Sequence, residues 1–518
     1  MDPHPQKLTV SQLMKRVGAQ KIVQSSKSSD DELVSQICYR SSDVDTSSVF
    51  CCIPGLKRDG HEFAEDACQR GALALIVYHP LDLDIDQYLV TEPRKAMASS
   101  ALELYGRPSE QLKLVGITGT NGKTTTCTLS AWIAQKCGLI SGTIGTLGAQ
   151  FNGNFIATDN TTPESVDYQK LLAQGLENGC QMISCEVSSH ALALDRVWGS
   201  QYEVAAYTNL SQDHLDYHSD MQDYFEAKAK LFWDYAVKER VICVDDSWGQ
   251  QLLRSCKSYG LKCLSVASSL RSAQEFEASS GYLPSIYPKS IQYDSLGTSL
   301  RLVYPLGEIE LKVPLIGSFN VQNVCVSFGI ALCLGLDAQD IAEALACSPQ
   351  VPGRLERVGQ DYDIAVYVDY AHTPDALEKA MAAVRETKPK RLLLVFGCGG
   401  DRDNTKRAPM GEIAAQADIA LCTSDNPRTE DPLSIIHMIE EGLIPACEQR
   451  KTSYEIEPDR IKAIFRAVEL AQSGDAVLIA GKGHEDYQII GTVKHHMDDR
   501  EIASDALVEH GSFDQWTL

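Results

Sequence analysis

The run Gly119-Thr120-Asn121-Gly122-Lys123-Thr124 constrains this 518-residue chain more than any other. An apolar stretch, Leu112 to Ile117, precedes it, and an apolar-periodic one, Cys127 to Cys137, follows. That order predicts a buried strand, a glycine-rich turn and a helix start. In such a turn the glycines let successive backbone N–H groups converge on phosphate oxygens. The helix N-terminus adds the positive end of its dipole, and a lysine adds a full charge. Position 117 is Ile where the strict pattern G-x-x-x-x-G-K-[ST] has glycine. The run predicts binding of a nucleoside triphosphate. It leaves open what is done with the phosphate.

The length exceeds what one core serves and predicts about three domains. No apolar run reaches the roughly 18 residues of a membrane span. The start, Met1-Asp2-Pro3-His4-Pro5, lacks the basic and apolar regions of a secretory signal. The 17 cysteines are scattered without a C-x-x-C pair, which predicts free buried thiols in a reducing cytoplasm. A net charge of −23 argues against a nucleic-acid surface, because a polyanion would be repelled. Any anionic substrate must then be held by local basic groups against the field of the whole chain.

Three α/β domains are expected, over residues 1–107, 108–350 and 351–518. The first carries short apolar runs at Val49–Ile53 and Leu73–Tyr78 and ends at Gly106-Arg107-Pro108. The second has buried-strand candidates at Leu112–Ile117, Met182–Glu186, Val204–Asn209 and Val241–Val244, with alternating strands around 295–313. In the third, apolar runs recur at Ile364–Val368, Leu392–Phe396, Ile419–Cys422 and Ala476–Ala480, the pattern of a doubly wound domain.

Open α/β sheets bind ligands beyond the carboxyl ends of their strands. In the second domain those positions are Glu186-Val187-Ser188-Ser189-His190 and Thr208 to Asp216. Thr124 and Glu186 offer hard oxygens suited to Mg²⁺. His214 is a less usual ligand, and a lone histidine is as a rule structural; its place after a strand of a nucleotide domain favours the functional reading. In the third domain the strand-end segments are Gly397 to Asp403, Asp425-Asn426-Pro427-Arg428 and Gly481-Lys482-Gly483-His484-Glu485. Arg402, Arg428 and Glu485 at successive strand ends suit a zwitterionic amino acid carrying an additional carboxylate.

Together these segments resemble the Mur ligase family. The resemblance is carried by Gly119–Thr126, Thr161-Thr162-Pro163, Glu186–His190, Thr208–His218, Tyr224–Lys228, Asn320 with Asn323, Gly353-Arg354, Asp369–Asp375, Gly399–Lys406, Asp425–Arg428 and Gly481–Gln488, which span nearly the whole chain. A phosphate loop alone would not separate it from folylpolyglutamate synthase, which lacks the N-terminal uridine-nucleotide domain and the D-N-P-R and G-K-G-H-E segments. The resemblance implies three parts: a small uridine-nucleotide domain, a central ATP-binding domain with a parallel sheet and added antiparallel strands, and a C-terminal Rossmann-like domain. It implies an ATP-dependent amide ligase. ATP phosphorylates the D-glutamate carboxylate of UDP-N-acetylmuramoyl-L-alanyl-D-glutamate, and the amine of an incoming amino acid attacks the acyl phosphate. A monomer acting in the cytoplasm is expected.

By the same resemblance, Gly119, Thr120, Asn121, Gly122, Lys123, Thr124 and Thr125 hold the ATP phosphates. Asn320, Asn323, Arg354 and Asp369 frame its base, ribose and phosphates. Thr124 and Glu186 bind one Mg²⁺, and His214 binds a second near Lys228, which is carbamylated. Lys228 is preferred to Lys230 because it stands four residues after Tyr224. A free amine is cationic near pH 7, the wrong sign beside a metal, whereas a carbamate is an anionic oxygen ligand. The nucleotide-sugar substrate falls to Ser41, Thr161, Thr162, Ser188 and Arg196. Two departures are visible: Arg40-Ser41-Ser42 replaces the usual D-S-R, and Leu194 stands where many relatives have glutamine. Arg402, Asp425, Asn426, Pro427, Arg428, Gly481 and Glu485 receive the amino acid. The D-N-P-R form implies meso-diaminopimelate, with L-lysine or another diamino acid as the alternative. A nucleotide-binding module without activity is disfavoured, since Lys123, Glu186, His214 and Lys228 are all present.

Overall fold

The computed structural model describes residues 5–26, 28–55, 58–214, 217–294 and 296–514. The chain forms two compact units, one of Met1–Pro288, Val303–Ile309 and Gln322–Ala344, the other of Lys289–Leu302, Glu310–Val321 and Leu345–Leu518.

The first unit holds two large sheets. The smaller has strands β1 (Gln20–Val23), β2 (Gln36–Cys38), β3 (Ser48–Cys51), β4 (Ala74–Val77) and β5 (Asp86–Leu89) in the order β1-β5-β4-β3-β2. The larger has eight: β6 (Lys113–Thr118), β7 (Ser141–Gly145), β8 (Gly148–Phe151), β9 (Asn154–Ile156), β10 (Met182–Glu186), β11 (Gln201–Tyr207), β12 (Ala236–Cys243) and β13 (Cys263–Val266). Their order is β9-β8-β7-β10-β6-β11-β12-β13. Strand β10 is buried throughout and β6 from its second residue, as interior parallel strands are, and the polar Ser184, Glu186 and Thr118 are buried with them. Their register positions the site. Ile117 lies opposite Glu186, and Thr118 opposite Tyr207. Residues following β6, β10 and β11 therefore emerge side by side on one edge.

Three further strands, β14 (Tyr287–Asp294), β15 (Gly297–Tyr304) and β16 (Gly307–Val313), form a sheet in sequence order where alternation around 295–313 predicts strands. The second unit holds a sheet of β17 (Glu356–Val358), β18 (Ala365–Asp369), β19 (Leu392–Phe396), β20 (Ile419–Cys422), β21 (Ser453–Ile456) and β22 (Ala476–Ala480), in the order β17-β18-β22-β19-β20-β21. All its pairings are parallel except β17 with β18. A hairpin of β23 (Tyr487–Ile490) and β24 (Val493–His496) follows.

Several boundaries differ from expectation: β6 and β18 each lie one residue later, β12 starts at Ala236 rather than Val241, and two further differences have a local cause. Helix α1 (Lys123–Lys136) begins four residues before Cys127, because Thr124, Thr125 and Thr126 are buried despite being polar. Strand β11 ends at Tyr207 rather than Asn209, because Thr208 and Asn209 turn away to bind the phosphate loop. All 17 cysteines are free thiols, but they are not all buried as expected: Cys347 is exposed, and Cys68, Cys137, Cys263 and Cys333 are partly so. Among the described residues no helix is long and apolar enough to cross a membrane.

Arg460, first residue of a helix (Arg460–Leu470), is fully buried with Asp499, first residue of another (Asp499–Asp514). Its Nε and Nη2 donate to the two Asp499 oxygens at 2.9 and 2.7 Å, and Nη2 also donates to the Ala480 carbonyl at 3.0 Å. Arg460→Met would strand a buried carboxylate and is expected to cost about 3–5 kcal/mol. The urea midpoint measures this, and Arg460→Met with Asp499→Leu should recover most of it.

Candidate active site

In the first unit the phosphate loop is shaped by two glycines. Gly119 has φ 153°, and a Cβ there would fall 1.9 Å from Thr208 Oγ1; Gly122 has φ 83°, and a Cβ would fall 2.2 Å from Asn323 Oδ1. Side chains at either position are excluded. The loop is pinned from the neighbouring strand end: Thr120 N donates to the Asn209 carbonyl at 2.8 Å, Asn121 N to Asn209 Oδ1 at 2.9 Å, and Thr208 Oγ1 to the Asn121 carbonyl at 2.6 Å. Lys123 Nζ donates to the Gly119 and Thr120 carbonyls at 2.8 and 2.7 Å.

Lys228 lies on the helix Met221–Trp233, which starts because the Asp220 side chain accepts from Asp223 N. It is 2% exposed, and its Nζ donates to the same Gly119 carbonyl at 2.9 Å. Burial, and then repulsion from Lys123, hold its amine well below the usual 10.5, with Asp213 opposing. Its Nζ stands 4.4 Å from the centroid of the Tyr224 ring, and the Tyr224 hydroxyl lies 3.2 Å from Thr120 Oγ1.

Glu186 ends β10 and is 2% exposed. Its carboxylate accepts from Thr146 N at 2.9 Å and Thr146 Oγ1 at 3.2 Å. Among the described residues no cationic side chain pairs with it. A buried carboxylate held only by neutral donors fits a divalent cation, and Thr124, buried at the start of α1, adds a hydroxyl. His214 is half exposed with φ 53°, its ring edge-on to His190 with centroids 4.9 Å apart.

The nucleotide-sugar candidates cluster beside Glu186. Thr162 Oγ1 donates to the Glu186 carbonyl at 2.8 Å and accepts from Ser188 N at 3.0 Å. Arg196 Nη1 donates to the Thr162 carbonyl at 2.9 Å, and Thr161 Oγ1 lies 3.1 Å from Thr146 Oγ1. Ser41 opens a short turn, and its neighbours reach the same segment: Tyr39 donates to Asp167 at 2.7 Å, and Arg40 pairs with Asp159 at 3.5 Å.

In the second unit Asp369 ends β18. Its oxygens accept from Leu355 N and Ala371 N, each at 2.8 Å, and burial raises its carboxyl while Arg354 opposes. Arg354 stands 5.1 Å from the Tyr370 ring centroid. Burial, with Arg354 and Arg500 near, pushes His484 down to about 4. Asn320 donates to the Ile316 carbonyl at 2.8 Å. The D-N-P-R loop is stitched to the turn after β19: Gly400 N donates to the Asn426 carbonyl at 2.9 Å and Arg428 Nη1 to the Gly400 carbonyl at 2.7 Å. Asn426 Nδ2 donates to Glu485 Oε2 at 2.9 Å. A Cβ on Gly481, where φ is 120°, would meet Asp425 Oδ2 at 2.7 Å. Arg402 is exposed and makes no hydrogen bond among the described residues.

Sequence reading missed Thr146. It follows β7, whose Ser-Gly-Thr-Ile-Gly composition hides a strand; recognising that strand would have exposed it by the same strand-end rule. Lys482 lies inside the strand-end segment Gly481–Glu485, and the resemblance implies no role for it. Asp59, His61 and His79 are a further group of metal-capable side chains among the described residues. Their imidazoles stack with centroids 3.9 Å apart, 16° from parallel, so the in-plane lone pairs run side by side and do not converge on one ion. Asp59 instead caps the turn Gly60–Phe63.

The family model described as the Mur ligase middle domain matches residues 117–331, and that described as the Mur ligase glutamate ligase domain matches 353–483. The UDP-N-acetylmuramoyl-L-alanyl-D-glutamate--2,6-diaminopimelate ligase of Trichormus variabilis is 45% identical, over 89% of this chain and 91% of its own. The protein of that name from Geobacillus kaustophilus is 40% identical, over 90% and 94%. A solved structure of a UDP-N-acetylmuramoyl-L-alanyl-D-glutamate--2,6-diaminopimelate ligase is 30% identical with a TM-score of 0.72, over 98% of this chain and 99% of that one. On the two matched domains and relatives of this similarity over nine-tenths of the length, the chain belongs to the Mur ligase family.

Proposed function

We propose that the chain joins meso-diaminopimelate to the D-glutamate carboxylate of UDP-N-acetylmuramoyl-L-alanyl-D-glutamate at the expense of ATP, through an acyl phosphate. The observation that carries the choice of amino acid is the loop Asp425–Arg428, tied on one side to Gly400 and on the other to Glu485. It holds the Arg428 guanidinium against the Gly400 turn and the Asn426 amide against the Glu485 carboxylate. The curated relatives carry the same ligase name. L-lysine is the disfavoured alternative, because it offers Arg428 no distal carboxylate.

In this reading residues 1–107 bind the uridine nucleotide, 108–350 bind ATP and 351–518 receive the amino acid. The N–H groups of Gly119 to Thr125 and the Lys123 ammonium take the ATP phosphates, with Asn320, Asn323, Arg354 and Asp369 framing the rest of the nucleotide. Ser41, Thr161, Thr162, Ser188 and Arg196 hold the nucleotide-sugar dipeptide. Thr124, Glu186, His214 and carbamylated Lys228 would hold Mg²⁺, which when bound neutralises the phosphate and carboxylate oxygens crowded at the reacting centre. Lys228 supports that role: burial and the nearby Lys123 hold its amine well below the usual 10.5, which favours the free base that attacks CO₂, forming an N–C bond and releasing a proton to solvent. Free thiols suit a reducing cytoplasm, and the chain acts as a monomer.

The test is phosphate release with the dipeptide nucleotide, ATP and either amino acid. Release dependent on meso-diaminopimelate is expected, and a preference for L-lysine would sink the choice of substrate.

A further inference from the structure

Lys482 lies between Gly481 and Gly483, just after β22, and is fully buried. A buried ammonium is costly unless every proton meets an acceptor. Here three acceptors surround it. Nζ donates to the Tyr487 carbonyl, and stands 3.4 Å from Asn426 Oδ1 and 3.4 Å from Glu485 Oε2. Asn426 completes the group. Its Oδ1 also accepts from Ile489 N at 2.9 Å, which fixes the amide so that Nδ2 donates to Glu485 Oε2 at 2.9 Å. Both contacts to Glu485 thus fall on one oxygen. Oε1 makes no hydrogen bond among the described residues, and the Glu485 side chain retains 18% exposure.

We infer that Lys482 is a positioning residue for the incoming diamino acid: with Asn426 it clamps one Glu485 oxygen and turns the other toward the ligand's ammonium. This rests on the proposed function. A cation beside the receiving carboxylate weakens its long-range pull on any ammonium. The gain is geometry, since the carboxylate no longer has to be ordered when the ligand arrives. An apolar residue of equal length would fill the same space without that effect.

The experiment is steady-state kinetics of Lys482→Met, Glu485→Gln and the double variant in the full-length chain, varying each substrate in turn. Lys482→Met is expected to raise KM for meso-diaminopimelate about tenfold to a hundredfold, the range of one or two charge-assisted hydrogen bonds. Its kcat and its KM for ATP and the dipeptide nucleotide should change by less than about threefold. In the Glu485→Gln background the same change should add less than about threefold, because Lys482 acts through Glu485. A structural role would lower kcat, raise all three KM values and remain additive, and that pattern would overturn the inference. Lys482→Gln, which keeps a donor for the Tyr487 carbonyl, gives the same comparison should the methionine variant fail to accumulate folded. Absence of diaminopimelate-dependent turnover in the unaltered chain overturns the functional reading and this inference together. Turnover with the wrong KM pattern overturns the inference alone.

Discussion

Lys228→Met is expected to make the chain more stable and at the same time to lower ligation by about a hundredfold or more. The two effects share one cause. The amine is buried against the Gly119 carbonyl and Lys123, and burial holds its pKa well below 10.5. In the unfolded chain it titrates at its ordinary value, so near neutral pH the unfolded state binds more protons. Stability then rises with pH between the folded and unfolded values. Below the folded value the cost is constant and complete; it fades as pH approaches 10.5. Methionine removes that cost, and the Gly119 carbonyl keeps Lys123 as a donor at 2.8 Å. A gain of about 1–3 kcal/mol is expected at pH 7, shrinking toward about pH 10. Urea unfolding of both proteins in CO₂-depleted buffer at several pH values measures it. Equal or lower stability of the variant at pH 7 would mean that the amine is well paired and charged. On the catalytic side, depleting bicarbonate should slow the unaltered enzyme and leave the residual rate of Lys228→Met untouched.

The sequence showed half of this argument. Lys123 and Thr124 were legible because strand, turn and helix are contiguous, and the chemistry of a phosphate loop is local. Strands Leu392–Phe396, Ile419–Cys422 and Ala476–Ala480 were legible to the residue for a related reason: interior parallel strands are unbroken apolar runs bounded by polar turns. Lys228 was visible only through its spacing from Tyr224. Its burial, and the carbonyl it shares with Lys123, depend on a helix packing 109 residues away in sequence. The burial of Thr124, Thr125 and Thr126 was hidden because threonine reads as polar whatever it packs against. Thr146 was hidden by the glycines of its strand, which have no side chains to form a pattern. The clamp on Glu485 was hidden as well, since Asn426 and Glu485 are separated by 59 positions and meet only through parallel register.

Arg428→Ala is expected to reduce the preference for meso-diaminopimelate over L-lysine by about a hundredfold to several-thousandfold. Meso-diaminopimelate is lysine with one distal carboxylate, so selectivity measures the partner of that group directly. Arg428 is anchored at its root: its N donates to the Ile489 carbonyl at 3.0 Å, and its carbonyl accepts from Gly491 N at 2.7 Å. Its φ of 51° lies in the left-handed region. Alanine pays the same backbone cost there as arginine, so the substitution adds no strain of its own. The turn it contacts survives too, since Gly400 N still donates to the Asn426 carbonyl, and buried Arg407 still reaches Gly399 and Glu430. What the variant loses is the guanidinium. Arg428→Lys should be intermediate, keeping the charge but not the two-pronged geometry that matches a carboxylate. The measurement is the ratio of kcat/KM for the two amino acids, with KM for ATP as the control. An unchanged ratio would move carboxylate recognition to another group, and exposed Arg402 would be the next to replace. A collapsed ratio with ATP binding intact would place the choice of amino acid on one side chain, more than 300 residues beyond the loop that holds the phosphate donor.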